Sequence, residues 1–268
     1  MLYITLIFCA RIYIGDRMKA LITGASSGIG RDIAYYLASL NYDLLLVARR
    51  TDRLEEIKEK VKTNVEIIPL DLGIEENCFK LYELTKDANI DLLINNAGFG
   101  LFGNTVETDL NRELEMINLN IKAVHILTKL YLKDFYNKDA GRILNVASSA
   151  GFLAGPRLNS YYATKNYVLK FTMGIYEELK KSGSNVHVSA LCPGPVKTEF
   201  NKVAGGKFNI DYNQSKRVAK IAIDSTLKNK LIIVPGLGVR LGLFFNRFIP
   251  WKLSLAIVYK IQERKQPK

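Results

Sequence analysis

Short apolar runs alternate with amphipathic segments along this chain, and that order constrains its fold more than any other feature. Seven runs are predicted to be strands. The run Asp43–Ala48 is almost wholly apolar, as is typical of a parallel strand buried on both faces. We therefore predict a doubly wound, seven-stranded parallel sheet with helices on both faces. The predicted strands are Lys19–Thr23, Asp43–Ala48, Val65–Leu70, Asp91–Asn95, Arg142–Ala147, Asn185–Leu191 and Leu231–Pro235.

Six helices are predicted between these strands. The first places Ile29, Ile33 and Leu37 on one face, and the second begins at Thr51, a residue type that caps helix N-termini. The other four are predicted at Glu75–Asp87, Asp109–Lys133, Tyr161–Lys181 and Ser215–Leu227.

A glycine-rich turn joins the first strand to the first helix. Its glycines let backbone N–H groups approach a pyrophosphate, and the helix N-terminus favours the negative charge. Two serines can add hydroxyl donors. The predicted contacts in this turn are Gly24, Ser26, Ser27, Gly28, Ile29 and Gly30.

Arg49 and Arg50 follow the second strand, at the place where an acid would bind the ribose 2′-OH of NAD. Guanidinium groups instead suit a 2′-phosphate, so we predict NADP(H) in preference to NAD. The alternative is a solvated pair that opens the next helix. No basic residue precedes Gly28, so the preference rests on these two arginines.

Two further strand ends carry candidate cofactor residues. After the third strand, Asp71 and Leu72 are expected to meet the adenine. After the fourth strand, small residues and amides are expected near the nicotinamide, namely Asn95, Asn96, Ala97 and Gly98.

Tyr161 and Lys165 are four residues apart on a predicted helix, so their side chains share one face. A nearby ammonium favours the phenolate, and Lys165 is therefore expected to lower the pKa of Tyr161. The spacing alone is equally compatible with a half-buried tyrosine beside a solvated lysine. Tyr162 has Asn166 at the same spacing and is expected to pack.

Five motifs in order resemble the short-chain dehydrogenase/reductase family, of its ordinary short-length bacterial type with a Rossmann-type fold. The resemblance covers about residues 18–235. The motifs are Thr23–Gly30 (TGASSGIG), Asn95–Gly98 (NNAG), Asn145–Phe152 (NVASSAGF), Tyr161–Lys165 (YYATK) and Leu191–Phe200 (LCPGPVKTEF).

The resemblance implies roles for four catalytic residues. Tyr161 would be the general acid/base, and Lys165 would hold the nicotinamide ribose. Ser148, thirteen residues before the tyrosine, would donate a hydrogen bond to the substrate oxygen, with Ser149 as the competing assignment. Asn118 matches the asparagine that links the lysine to a water chain, whereas Asn120 is less well placed.

The resemblance also implies a nicotinamide and phosphate contact in the segment after the sixth strand. The matching residues are Pro193, Gly194, Val196 and Thr198. Family members form dimers or tetramers through long helices, so a homodimer or homotetramer is expected through Asp109–Lys133 and Tyr161–Lys181.

Composition narrows the other possibilities. The three cysteines are scattered, and the two histidines are too few for a histidine-rich zinc site, so we expect no disulfide framework and no metal. Together they favour a cytoplasmic protein. The formal net charge is +12, but no aromatic-and-basic motif stands out, and we expect no nucleic-acid partner.

The two ends lie outside the motif pattern, so three regions are predicted: residues 1–17, an apolar extension; 18–235, the dinucleotide-binding domain; and 236–268, a basic and apolar extension. For residues 1–17, the alternative is an interfacial anchor, and Met18 is a candidate start. From Pro235 onward, the sequence contains seven Lys/Arg residues and a single acidic residue, Glu263. This segment is predicted to be a lid or packing helix over the substrate, a subunit contact, or a surface for anionic membranes. Pro250 divides it into two short pieces, which argues against a spanning helix.

These features predict an NADP(H)-linked interconversion of a carbonyl and an alcohol. Phe99, Phe102, Phe152 and the segment Val196–Tyr212 are expected to line the pocket, which favours an apolar substrate. The alternatives are a non-catalytic cofactor-binding protein on the same scaffold and a membrane-surface protein.

Overall fold

One parallel sheet of seven strands forms the centre of the protein. The structure, a computed structural model, describes residues 17–196, 199–200, 204–205 and 214–264. The strand order is β3-β2-β1-β4-β5-β6-β7, so the chain reverses its direction across the sheet between β1 and β4. The strands are β1 (Lys19–Thr23), β2 (Asp43–Ala48), β3 (Val65–Pro69), β4 (Leu92–Asn95), β5 (Arg142–Val146), β6 (His187–Leu191) and β7 (Ile232–Ile233).

Helices cover both faces of this sheet. A π-helical segment at Asn118–Ala123 lies between the fourth and fifth helices, and a short 3-10 helix covers Ser149–Phe152. The α-helices are α1 (Gly28–Ser39), α2 (Thr51–Lys60), α3 (Glu75–Thr85), α4 (Leu110–Ile117), α5 (Val124–Asn137), α6 (Asn159–Ser182), α7 (Gln214–Leu227), α8 (Leu237–Asn246) and α9 (Trp251–Glu263).

Successive residues of each central strand point into opposite layers of the core. On β2, Leu44 and Leu46 pack with Ile33 and Leu37 of α1, whereas Leu45 packs in the layer that contains Tyr131 of α5. Burial on both faces explains why β2 is a continuous apolar run rather than an alternating one. The parallel strands bring all their carboxyl ends to one edge, which is where a ligand can bind.

The predicted fold class is confirmed, since all seven strands are present in a parallel, doubly wound sheet. The helix predicted at Asp109–Lys133 is present as α4, the π-helical segment and α5, which follow one another directly, and the π-helical segment is the part that was not predicted. Pro250 separates α8 from α9 as expected. Across the described residues, no helix combines the length and hydrophobicity needed to cross a bilayer. The three predicted regions stay a prediction.

Candidate active site

A cavity of about 780 Å³ opens at the carboxyl ends of the strands, beside the point where the strand order reverses. Most of the residues predicted from the motifs lie in its wall. They are Gly24, Ser26, Ser27, Gly28, Ile29, Arg49, Arg50, Asp71, Leu72, Asn96, Ala97, Gly98, Ser148, Tyr161, Lys165, Pro193, Gly194 and Val196. Thr198 lies outside the described residues.

The turn between β1 and α1 has the geometry of a phosphate cradle. Gly24 and Gly28 adopt left-handed φ angles of 64° and 56°, which glycine reaches without strain. The Asn96 amide donates to the carbonyl oxygens of Thr23 and Gly24 at 3.0 and 3.1 Å, which fixes the turn against β4. Since the turn opens α1 at Gly28, the N-terminus of that helix faces the cavity.

Gly30 contributes to this turn by packing and does not line the cavity. A Cβ atom at position 30 would lie 2.5 Å from the Gly24 carbonyl oxygen and 2.3 Å from Asn96 Nδ2. Gly30 was expected to contact the cofactor. In the structure, its lack of a side chain instead allows the helix and the turn to approach each other closely.

Arg49 and Arg50 lie at the β2 end of the cavity, and each is paired with an acid. Arg49 Nη1 is 3.4 Å from Asp71 Oδ2, and Arg50 Nη1 is 2.8 Å from Glu199 Oε2. Arg50 also donates to Ser26 Oγ in the glycine turn at 3.2 Å. The hydrogen bond from Arg50 holds the pKa of Glu199 below its ordinary value. Two guanidinium groups thus stand beside the phosphate cradle.

Tyr161 and Ser148 meet at the centre of the cavity wall. Burial raises the pKa of Tyr161 to about 12, and the hydrogen bond with the Ser148 side chain acts in the opposite direction. Ser148 is almost fully buried, and its Oγ also accepts from the N–H of Ala150 at 3.1 Å. Ser149 lines the cavity as well, but of the two serines only Ser148 acts on the pKa of Tyr161.

Lys165 is buried one helical turn after Tyr161. Its Nζ donates to the Val146 carbonyl oxygen at 2.8 Å and lies 6.0 Å from the centre of the Tyr161 ring. Burial lowers the pKa of Lys165 to about 8. The predicted lowering of the Tyr161 pKa is not seen, because burial of the phenol outweighs the other influences on it.

Asn120, and not Asn118, is the asparagine that reaches the site. Its Nδ2 donates to the Phe99 carbonyl oxygen at 2.9 Å and to Thr164 Oγ1 at 3.1 Å, while its Oδ1 accepts from the Phe99 N–H. Asn120 is fully buried. Among the described residues, the Asn118 side chain makes no hydrogen bond, and it is absent from the cavity wall. The expected position of Asn118 is thereby corrected.

The sequence contained a signal for Asn120. Met116, Ala123 and Leu127 are buried, and Asn120 falls on the same i, i+4, i+7, i+11 stripe. Asn118 falls off that stripe and is half-buried. The side chain on the buried stripe is the one that can reach the sheet.

Asn95 also lies away from the cavity. Its side chain is buried and donates to Asn145 Oδ1 at 2.9 Å and to Thr128 Oγ1 at 3.0 Å. Asn145 donates onward to Thr172 at 3.0 Å. Asn95 therefore joins β4, β5, α5 and α6 below the site, which corrects the predicted cofactor contact.

The substrate side of the cavity differs in part from the prediction. Phe99 lines it, together with Phe200 from the segment Val196–Tyr212, most of which lies outside the described residues. Phe102 and Phe152 are absent from the wall. Phe152 packs instead against a buried cluster that includes Val168.

The sequence prediction missed Gln262 and the exposure of Tyr162 to the cavity. Gln262, on α9, is 1% exposed and lines the cavity, and its Nε2 donates to the Tyr162 hydroxyl at 2.6 Å. Its Oε1 is buried and has no hydrogen-bond partner among the described residues. The C-terminal segment thus covers part of the site, as one of its three predicted roles requires.

The residues of this cavity fit a dinucleotide. Gly24 and Gly28 of the turn line the cavity, the α1 N-terminus favours a phosphate, and the arginines offer positive charge beside it. Gly98 lets Asn120 and Lys165 approach the loop after β4, since a Cβ there would lie 2.8 Å from Asn120 Oδ1 and 3.4 Å from Lys165 Nζ.

The model of the short chain dehydrogenase family matches residues 18–207 of this chain. The chain belongs to the short-chain dehydrogenase family. Members of this family are oxidoreductases that bind a nicotinamide nucleotide as cofactor. The cavity described above is thus a site of this kind.

Individual relatives agree with this assignment. The chain is 36% identical to an uncharacterized oxidoreductase of Staphylococcus saprophyticus over 68% of this chain and 80% of that protein. It is 35% identical to an NADP-dependent 3-hydroxy acid dehydrogenase of Schizosaccharomyces pombe, over 76% of this chain and 80% of that protein. The structure of a short-chain dehydrogenase from Sphingobium yanoikuyae in complex with NADPH superposes with a TM-score of 0.74. That pair is 31% identical, over 85% of this chain and 95% of the other.

Proposed function

We propose that this protein is an NADP(H)-dependent oxidoreductase that interconverts a carbonyl and an alcohol, with Tyr161 as general acid/base. The observation that carries the proposal is that Ser148, Tyr161 and the buried Lys165 lie together in the cavity wall, with Lys165 Nζ 6.0 Å from the centre of the Tyr161 ring. The nicotinamide cofactor supplies the hydride, and the protein binds, orients and polarises.

The direction of the proton follows from the pKa of Tyr161. With a pKa of about 12, Tyr161 is protonated near neutral pH and can donate to a substrate oxygen during reduction. Ser148 donates a second hydrogen bond to that oxygen and stabilises the charge that develops there. Lys165, with a pKa of about 8, is mostly cationic at pH 7, and its charge favours the phenolate left on Tyr161.

Asn120 supports this arrangement by position. It connects the Phe99 backbone to Thr164, and Thr164 donates to the Tyr161 carbonyl oxygen at 2.7 Å. It therefore holds the α6 turn that carries Tyr161 and Lys165 against the strand-end loop. We assign to Asn120 the role expected for Asn118.

Replacing Tyr161 tests the mechanism. We expect Tyr161→Phe to lower kcat by about 10²–10⁴-fold, because the proton donor is lost, while NADPH binding measured by fluorescence is retained. Tyr167→Phe is the matched control, since Tyr167 lies on the same helix, is exposed and contacts His125. Unchanged turnover in Tyr161→Phe would overturn the assignment.

The preference for NADP(H) has its own test. Arg49→Asp should lower the ratio of kcat/KM for NADPH to that for NADH by about 10–100-fold, because a charge-assisted contact to the 2′-phosphate is lost. Arg53→Asp makes the same charge change on α2, outside the cavity wall, and should leave the ratio unchanged. An equal ratio in Arg49→Asp and wild type would contradict the hypothesis that the arginines give the preference for NADP(H).

The substrate is proposed to be apolar, because Phe99, Phe200 and Leu158 line the cavity near Tyr161. Turnover of a panel of ketones that differ in apolar size tests this, and a preference for small charged ketones would contradict it. A cytoplasmic location and a homodimeric or homotetrameric state stay predictions. Fractionation and light scattering test them.

A further inference from the structure

The C-terminal helix pair, Leu237–Glu263, exposes an apolar stripe along α8. Four of its side chains follow the spacing i, i+4, i+7 and i+8, which places them on one helix face, and Phe248 continues the stripe two residues after α8 ends. Each is between 48% and 73% exposed. The members of the stripe are Leu237, Leu241, Phe244, Phe245 and Phe248.

The opposite side of the helix pair is attached to the body of the protein. Ser254, Val258 and Gln262 form the buried face of α9, and Gln262 donates to Tyr162. On α8, Val239 lies against Gly194, where a Cβ would come within 2.7 Å of the valine side chain. The stripe therefore lies on the side away from these contacts, which come from the buried face of α9 and from Val239.

The first turn of α9 extends the apolar surface. Trp251 is 76% exposed at the start of α9, directly after the stripe, and Leu253 is 54% exposed. Tryptophan at the edge of an apolar patch is typical of a bilayer interface, because its ring is apolar and its N–H is polar.

Exposed cations surround this surface. The neighbouring acid, Glu263, lies 3.9 Å from Arg157 and is partly compensated by it. The exposed cations of the helix pair and its end are Arg240, Arg247, Lys252, Lys260 and Arg264. The charge of the surface is therefore complementary to an anionic one.

We propose that the C-terminal helix pair docks on the surface of an anionic lipid bilayer, with the α8 stripe and Trp251 in the headgroup region. An apolar face with flanking cations suits this surface, since both burial and charge contribute to binding. A second copy of the chain fits less well, because a two-fold contact would place the same cations opposite one another.

Docking in this orientation brings the active-site cavity close to the lipid. Gln262 of α9 and Gly194, which contacts α8, both line the cavity. An apolar substrate could then pass between the bilayer and the site. This consequence rests on the proposed function, whereas the docking itself does not.

Vesicle binding tests the docking. Trp251 is the only tryptophan of the chain, so its emission reports on this surface. With the full chain, we expect a blue shift and co-flotation with phosphatidylcholine vesicles that contain phosphatidylglycerol. With phosphatidylcholine alone, or at high salt, we expect at least about tenfold weaker binding.

Two sets of variants separate the stripe from general hydrophobicity. Leu241→Ser with Phe245→Ser should abolish flotation, whereas Phe79→Ser with Leu84→Ser on the exposed face of α3 should leave it intact. Arg247→Glu with Lys252→Glu should remove the preference for anionic vesicles. Thermal melting confirms that each variant folds.

Three outcomes would overturn the proposal. The first is that the wild-type protein does not bind vesicles, and the second is that the stripe variant binds them equally well. The third is that light scattering shows a wild-type dimer, that the stripe variant is monomeric, and that neither protein binds vesicles. Tyr161→Phe should float like wild type, so a failure of the proposed reaction does not affect this test.

Discussion

The active site buries polar side chains, whereas the C-terminal helix pair exposes aromatic ones. Each is the opposite of the usual arrangement in a protein. Asn120 and Lys165 are polar side chains that are 0% and 5% exposed, whereas Phe248 and Trp251 are aromatic side chains that are 73% and 76% exposed. Burying a polar group is unfavourable unless it has partners, and exposing a large apolar group is unfavourable unless something covers it.

The two regions differ in what offsets these unfavourable free energies of polar burial and apolar exposure. Asn120 finds its partners within the chain, at Phe99 and Thr164, and Lys165 finds the Val146 carbonyl oxygen. The apolar stripe has none of this internal cover. The buried polar groups therefore mark the candidate site, and the exposed apolar surface is where we propose contact with a lipid phase.

Of the three tests that follow, the largest effect is expected from replacing each of the two asparagines by alanine. Asn120→Ala should lower kcat by at least about tenfold and destabilise the fold by about 2–4 kcal/mol, because the Phe99 N–H and C=O lose buried partners. Asn118→Ala should change the free energy of unfolding by less than about 0.5 kcal/mol. Steady-state kinetics and chemical denaturation measure both. Equal effects of the two substitutions would restore Asn118 to the site.

The charge of Lys165 gives a pH-dependent effect. Because its pKa falls from 10.5 to about 8 on folding, the unfolded state binds more protons between these values, and stability rises with pH there. Relative to Lys165→Met, the ligand-free protein should gain as much as about 3 kcal/mol from pH 8 to 10.5. Denaturation of both proteins across this window measures the gain. A constant difference would mean that the ammonium is not buried.

A pair of glycines gives the smallest effects, with opposite signs. Gly30→Ala should destabilise by about 1–3 kcal/mol, since the Cβ meets the Gly24 carbonyl oxygen. Gly242→Ala, on α8, should stabilise by about 0.5–1 kcal/mol, since no atom lies within 4 Å of its Cβ. Thermal denaturation measures both. Destabilisation by Gly242→Ala would show that α8 packs more closely than described.

Much of the fold was predictable because it depends on local pattern. The apolar run Asp43–Ala48 forms β2 at the predicted residues, and Gly24–Gly30 forms the turn after β1. The ends of elements were less predictable, as the two-residue β7 shows. The π-helical segment that begins at Asn118 was also missed, because no proline or glycine marks it.

Candidate residues lie together where a strand end or a motif indicates them. Arg49 follows the end of β2, Ser148 and Tyr161 belong to motifs, and all three line the cavity. Asn95 does not, because its neighbours across the sheet, Thr128 and Asn145, draw its side chain inward. No motif indicated Gln262, which lies 100 residues from its partner Tyr162.

The sequence by itself determined the alternation of strands and helices, the phosphate turn and the spacing of Tyr161 and Lys165, because backbone periodicity and adjacency set them. Only the tertiary structure decided that Asn120 faces the site, that Gln262 reaches the cavity and that the α8 stripe faces outward. Those features depend on burial, and burial is fixed by which distant segments pack against one another.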